Sequence, residues 1–262
     1  MSAWEAFILC IVQGVTEFLP VSSSGHMILV GRLLGIRHMP LSFELVTHLA
    51  TLLAVLIALR KPVWKLVKKP FSKKTALLLT ATVPTVLIFF LFQSFFRSAF
   101  DGRFLIYSFG VTAVLIFVTG FFPLKKRAEP QSLKPLPSFL DAAFIGIAQG
   151  IAGLPGISRS GATICTARIA GVEKEAAAEF SFLLSVPIII GSSLFEFIGD
   201  GSAGMVSAGA LFIGFLTAFA VGFICINFML KFVAKRGMNG FAVYLMILTV
   251  FLFVDKFLLG LF

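Results

Sequence analysis

Apolar residues run along this chain in unbroken blocks near 20 residues, at 41–59, 75–95, 104–122, 176–198, 207–230 and 240–260. A helix needs about 20 such residues to cross the ~30 Å hydrocarbon core of a bilayer. Each block therefore predicts one spanning helix. The ~10-residue alternation of a membrane β-barrel is not the pattern here. Two regions depart from it, 3–35 and 139–170. Each has an apolar stretch, a break rich in Gly, Pro and Ser, and a second apolar stretch. At ~1.5 Å per residue neither half can cross. Each is expected to be a re-entrant helical hairpin. Its irregular turn survives at membrane depth only when buried in protein or lining a wet cavity.

The two hairpins align with each other. QGVTEFLPVSSSG starts at Gln13 and QGIAGLPGISRSG at Gln149, so 149 − 13 gives an offset of 136 residues. Tyr107 and Tyr244 match at nearly the same offset, in the last span of each half. The order hairpin, span, span, span occurs twice. A hairpin returns to its own side and three spans change sides, so the second copy must start from the opposite face. The expected fold is an all-α integral membrane protein with an inverted-topology repeat. It is a single membrane domain over 1–262, with repeat one at 1–123 and repeat two at 139–262. Six spanning helices would accompany the two hairpins, which would meet near the bilayer midplane, where such folds place their sites.

Composition supports the membrane reading: 58% of residues are hydrophobic and 13% charged, against about a quarter charged in soluble domains. The formal net charge is +10, but its distribution argues against nucleic acid. Seven of the 22 Lys and Arg lie in 60–74, four in 125–134 and three in 231–236. Basic residues clustered in short loops beside apolar spans mark the cytoplasmic side. Loops 60–74, 123–138 and 231–239 are thus expected in the cytoplasm, with both termini and the mouth of the first hairpin outside. Cys10, Cys165 and Cys225 lie in apolar segments without metal-ligand spacing and read as small core residues. The first Lys or Arg is Arg32, so the N-terminal apolar stretch is expected to remain in the mature chain rather than act as a secretory signal.

Ionisable side chains at membrane depth cost roughly 2.5–3.5 kcal/mol each on insertion scales, so those in the hairpins are candidates for chemistry. Arg159 lies between Ser158 and Ser160, with Gly156, Gly161 and Thr163 nearby. Glycine allows close backbone approach, a helix start offers N–H groups at a positive dipole end, and a guanidinium fork suits phosphate oxygens. Together they read as an anion clamp, although Ser and Gly also serve close helix packing. In the first hairpin Gln13 and Glu17 share a helix face, followed by Ser22, Ser23, Ser24 and His26. A carboxylate beside a phosphate calls for a divalent cation, Mg²⁺ or Ca²⁺, on Glu17 and Gln13. His26, or a serine it activates, could then be nucleophile or base. Glu44 and His48, four apart in the next span, are expected to line the same cavity in a supporting role or to pair with each other. Greasy walls around a phosphate site suggest a lipid phosphate.

QGVTEFLPVSSSGHMILVG and LPGISRSGATI resemble the two signature motifs of the undecaprenyl-diphosphate phosphatases, the bacitracin-resistance proteins, and the similarity continues through FELVTHLATLLAVL and EFSFLLSVPIIIG. The resemblance implies hydrolysis of undecaprenyl diphosphate to undecaprenyl phosphate at the outer side of the bacterial inner membrane, which recycles the lipid carrier for peptidoglycan. The family's acidic motif falls on Gln13 and Glu17, its serine and histidine on Ser23 and His26. Its second motif falls on Pro155, Gly156, Ser158, Arg159, Ser160, Gly161 and Thr163. Many members carry Glu where this chain has Gln13, which implies weaker or altered cation binding. The implied mechanism is metal-assisted hydrolysis, with Arg159 and the 158–163 backbone on the phosphates and Glu17 on the cation. The residues leave both Ser23 and His26 open as the nucleophile. A rival reading is a flippase for polyprenyl phosphate, with or without phosphatase activity. Expected partners are the isoprenoid diphosphate and membrane lipid. A homodimer is left open as a further partner.

Overall fold

The computed structural model describes residues 1–36, 39–121, 133–199 and 206–259. Their helices are α1 (Ala3–Thr16), α2 (Ser23–Leu33), α3 (Leu41–Ala58), α4 (Arg60–Lys68), α5 (Lys73–Ala99), α6 (Leu105–Phe121), α7 (Phe139–Ile151), α8 (Arg159–Ile169), α9 (Lys174–Gly199), α10 (Ala208–Arg236) and α11 (Asn239–Val254), with a π-helical turn at Asp255–Leu259. Among the described residues the only β-type pairing is an isolated bridge between Lys134 and Val172. Five helical segments are long and apolar enough to cross a membrane: Leu41–Ala58, Lys73–Ala99, Lys174–Phe195, Ala208–Arg236 and Asn239–Phe257. The chain is a multi-pass, all-helical membrane protein. The block expected at 104–122 forms α6, which has 17 residues and ends where the described residues end.

Two basic segments expected as loops contain helix. Residues 60–74 include α4, with Trp64 and Val67 exposed. Lys231, Lys235 and Arg236 ride the last turns of α10, which at 29 residues is about 44 Å long. That exceeds the hydrocarbon thickness, so the charged turns can stand clear of it. Most of the expected loop 123–138 lies outside the described residues.

Both expected hairpins are helix–break–helix units. α1 has 14 residues, α7 has 13, and α2 and α8 have 11 each. The longest is about 21 Å, too short to cross. Their starts are set the same way. Ser2 accepts from the Glu5 N–H while Glu5 reaches back to Ser2. Ser138 and Asp141 do this for α7. Such reciprocal caps satisfy two orphan N–H groups at each helix start.

Packing exchanges partners between the two halves. α1 lies along α10 and α7 along α5, α3 meets both α10 and α9, and α6 packs on α11. Small residues allow these approaches. A Cβ on Gly14 would sit 2.8 Å from the Val221 Cβ, and one on Gly146 would collide with the Ala81 carbonyl oxygen. At that second contact Thr85, beside the in-helix Pro84, donates to the Gly146 carbonyl at 2.8 Å and accepts from Gln149 at 3.2 Å.

The two hairpins open at opposite ends of α5. At its C-terminal end, Arg32 from the close of α2 donates to the carbonyl of Asp101. At its N-terminal end, Lys74 pairs with Glu179 near the start of α9. The close of α8 adjoins that start, where the Lys134 N–H donates to the Gly171 carbonyl at 3.0 Å.

Candidate functional site

The breaks of the two hairpins meet in the interior. Ser22 caps α2 from just before its first residue with φ +71°, the one non-glycine residue with positive φ among those described. Such a backbone costs of order 1–3 kcal/mol and needs support from its surroundings. Its hydroxyl accepts from the Gly25 N–H at 3.3 Å, as an N-cap does, and from the Gly156 N–H at 3.1 Å. Gly156 has φ +93° and belongs to the other hairpin. One serine side chain thus joins the two breaks. A Cβ on Gly25 would come within 3.0 Å of the Gly156 Cα.

Glu17 sits at the centre of this junction, its side chain 4% exposed. Oε2 accepts from the Ser23 hydroxyl at 2.6 Å and from the Gln13 amide at 3.0 Å. Oε1 accepts from the Arg159 guanidinium, forming an ion pair across the hairpins. Charge-assisted bonds of this kind are the strong ones, and three donors offset the cost of withdrawing a carboxylate from water.

These four side chains face a cavity of about 470 Å³. Ser22, Ser24, Ser158, Glu44, His48 and Arg97 also border it. Glu44 and His48 therefore do lie on the same cavity as Glu17, and the Nδ1 of His48 is buried without a hydrogen-bond partner. One flank is apolar, made by Met27, Ile28, Ile36, Met39, Leu41 and Phe100.

Some residues of the two motifs do not border the cavity. Ser160 donates to the Leu19 carbonyl at 3.0 Å. Thr163 is fully buried and bonds the Ser181 hydroxyl at 2.5 Å. Gly161 gives its N–H to the cap Ser158 at 3.1 Å. Together with Gly156 they shape the loop behind Arg159. His26 also lies off the cavity wall, 8% exposed. Its Nδ1 is 2.7 Å from the Ser22 carbonyl and its Nε2 2.7 Å from the Tyr244 hydroxyl.

Three residues join the site unannounced by the motifs. Thr112 of α6 accepts from the Ser158 N–H at 3.1 Å and donates to the Gly156 carbonyl at 3.2 Å, bracing the second loop. Nothing in its local sequence marks it. Arg97 borders the cavity from the end of α5 and lies over the Phe195 ring. Tyr244 carries a signal in the sequence, its match to Tyr107 between the halves, but not its contact with His26.

Comparison with known proteins matches residues 6–251 to the family described as bacitracin resistance protein BacA. The chain belongs to this family. It is 38% identical to the undecaprenyl-diphosphatase of Carboxydothermus hydrogenoformans over 259 residues, covering 97% of each chain. It is 39% identical over 249 residues to undecaprenyl-diphosphatase 4 of Bacillus cereus, covering 93% of each. It is 37% identical over 262 residues to undecaprenyl-diphosphatase 3 of Bacillus cereus, covering 98% of each.

Proposed function

We propose that the protein removes the terminal phosphate of undecaprenyl diphosphate at the outer side of the bacterial inner membrane, leaving undecaprenyl phosphate for reuse as a carrier in wall synthesis. The observation that carries this reading is the Ser23–Glu17–Arg159 constellation, set in a cavity with an apolar flank. Family membership and the full-length likeness to named undecaprenyl-diphosphatases support it.

Ser23, not His26, is the nucleophile in this reading, because its hydroxyl already touches a carboxylate oxygen. The isoprenoid tail lies along the apolar flank. Arg159 exchanges Glu17 for the incoming phosphates, where its fork offsets the charge that develops during transfer. The Ser23 oxygen attacks the terminal phosphorus as its proton passes to Glu17. The bond from that phosphorus to the bridging oxygen breaks, and polyprenyl phosphate departs. Water then attacks the phosphoserine. The serine oxygen leaves phosphorus and regains its proton from Glu17, and the water's protons depart with inorganic phosphate.

The cavity's donors are carboxylate, amide and hydroxyl oxygens together with the imidazole of His48, with no thiolate, and this oxygen-rich set suits a hard cation. No cluster of three or more His, Cys, Asp or Glu able to hold a metal occurs among the described residues. Glu17 and Gln13, with Glu44 in reach of the same cavity, would hold Mg²⁺ or Ca²⁺ together with the substrate's own phosphate oxygens. The cation would supply charge neutralisation.

The same reading includes an inverted repeat of two hairpins and six spans, with α6 as the sixth. The exchanged packing partners, the opposed hairpin mouths and the paired caps at Ser2 and Ser138 support it. It orients the basic segments to the cytoplasm and the cavity, bordered by Arg97 and Phe100, outward. The exchanged packing also suits a transporter. Purified protein given undecaprenyl diphosphate should release inorganic phosphate, and EDTA should suppress the release. No release with any divalent cation would overturn the phosphatase reading in favour of a flippase.

A further inference from the structure

Tyr244 reaches the junction from α11, 218 residues along the chain from its partner His26. The imidazole lies between two rings, stacked on Tyr244 at 5.8 Å and 18° and edge-on to Phe109 at 5.3 Å and 74°. Its hydrogen bonds fix its proton. The Ser22 carbonyl can only accept, so Nδ1 carries hydrogen and donates to it at 2.7 Å. In the neutral ring Nε2 then has only a lone pair, and the Tyr244 hydroxyl donates to it at 2.7 Å. Both nitrogens are committed, and neither borders the cavity that holds Glu17, Ser23 and Arg159. The ring gives its donor to the carbonyl of Ser22, the one non-glycine residue with positive φ among those described. The next residue is Ser23, whose direction toward Glu17 depends on that turn.

We infer that Tyr244 is a positioning residue for the reaction, acting through His26, and that His26 works by holding the Ser22 carbonyl rather than by attacking phosphorus or moving the reacting proton. The chain of contacts runs from the Tyr244 hydroxyl to Nε2, from Nδ1 to the Ser22 carbonyl, and through the φ +71° turn to Ser23. Tyr244 keeps the ring at the one rotation where Nδ1 meets that carbonyl. This rests on Ser23 as the nucleophile, and its failure is distinguishable because loss of phosphatase activity in Ser23→Ala tests that reading separately.

The experiment compares His26→Asn, His26→Ala and Tyr244→Phe by steady-state phosphate release from undecaprenyl diphosphate in detergent. The asparagine amide nitrogen can occupy the place of Nδ1 and donate to the Ser22 carbonyl, yet it can neither attack phosphorus nor serve as a base. His26→Asn should therefore keep kcat within about tenfold of wild type while His26→Ala falls well below it. Tyr244→Phe, which loses one hydroxyl at a residue 43% exposed, should lower kcat about three- to tenfold with KM unchanged, the scale of one hydrogen bond. Combined with His26→Asn it should have no added effect, because the shorter amide does not reach the phenol. His26→Asn as inactive as His26→Ala would overturn the inference, and so would Tyr244→Phe with wild-type kcat. Tyr244→Phe keeps the ring and its packing, so the test stands even if a His26 variant fails to fold.

Discussion

Arg159→Ala separates what the ion pair does for stability from what the guanidinium does for chemistry. In the wild type the pair joins the two hairpins, with Glu17 4% and Arg159 21% exposed at the side chain. Removing one member of a buried pair leaves the other charge uncompensated, at a cost of about 3–5 kcal/mol. The partial exposure of Arg159 and the remaining donors, Gln13 and Ser23, reduce this to about 2–4 kcal/mol. That corresponds to a melting point lower by roughly 5–12 °C for a chain of this size. The double variant Arg159→Ala with Glu17→Gln removes the stranded charge and should recover most of that loss. Activity behaves otherwise. A lost donor to developing charge costs about 10²–10³ in rate, and the double variant also lacks the base. Phosphate release should stay at or below ~1% of wild type in both variants. The two readouts are thermal unfolding in detergent and phosphate release from undecaprenyl diphosphate. If Arg159→Ala keeps turnover within tenfold of wild type, or if the double variant regains activity along with stability, the guanidinium is a strut and the proposed role is wrong.

Three further outcomes are expected. Ser23→Ala should lower turnover at least about a thousandfold, and acid quenching with substrate labelled in its terminal phosphate should leave label on the wild-type protein but not on this variant; turnover above a tenth of wild type would remove Ser23 as nucleophile. Gly146→Ala drives a methyl into the Ala81 carbonyl between α7 and α5, so it should destabilise by about 1–3 kcal/mol while folded protein keeps a near-normal KM; an unchanged melting point would show that the two helices can part without cost. A reporter fused to the C-terminus should be detected outside the cytoplasm, and a cytoplasmic signal would invert the proposed topology.

Hydropathy alone marked out the long apolar helices, because a bilayer imposes length and composition together, but it gave no sign of α4. Spans expected at 41–59 and 75–95 formed as Leu41–Ala58 and Lys73–Ala99. The breaks within 3–35 and 139–170 were legible as well, because clustered Pro, Gly and Ser interrupt an apolar run. The motifs also placed Glu17, Ser23 and Arg159 at one site, and there the structure brings all three into contact. The ends of charged segments were harder to read. The 231–236 cluster looked like a loop by composition, yet backbone hydrogen bonding carries α10 through it.

What tertiary structure alone decided was the division of roles within the motifs. Ser22, Ser23 and Ser24 are chemically alike, but one faces Glu17 and another bridges to Gly156. Ser160 and Thr163 share a motif with Arg159 yet point to Leu19 and Ser181. His26 carries the chemistry of a nucleophile in the sequence, but its surroundings turn both nitrogens toward Ser22 and Tyr244. A side chain's role depends on which atoms lie within about 3 Å, and at Ser22, His26 and Ser160 some of those atoms come from more than a hundred residues away. The one-dimensional pattern set which groups are present at membrane depth. Only the packing of α6, α8 and α11 around the two breaks determined which of them face the cavity.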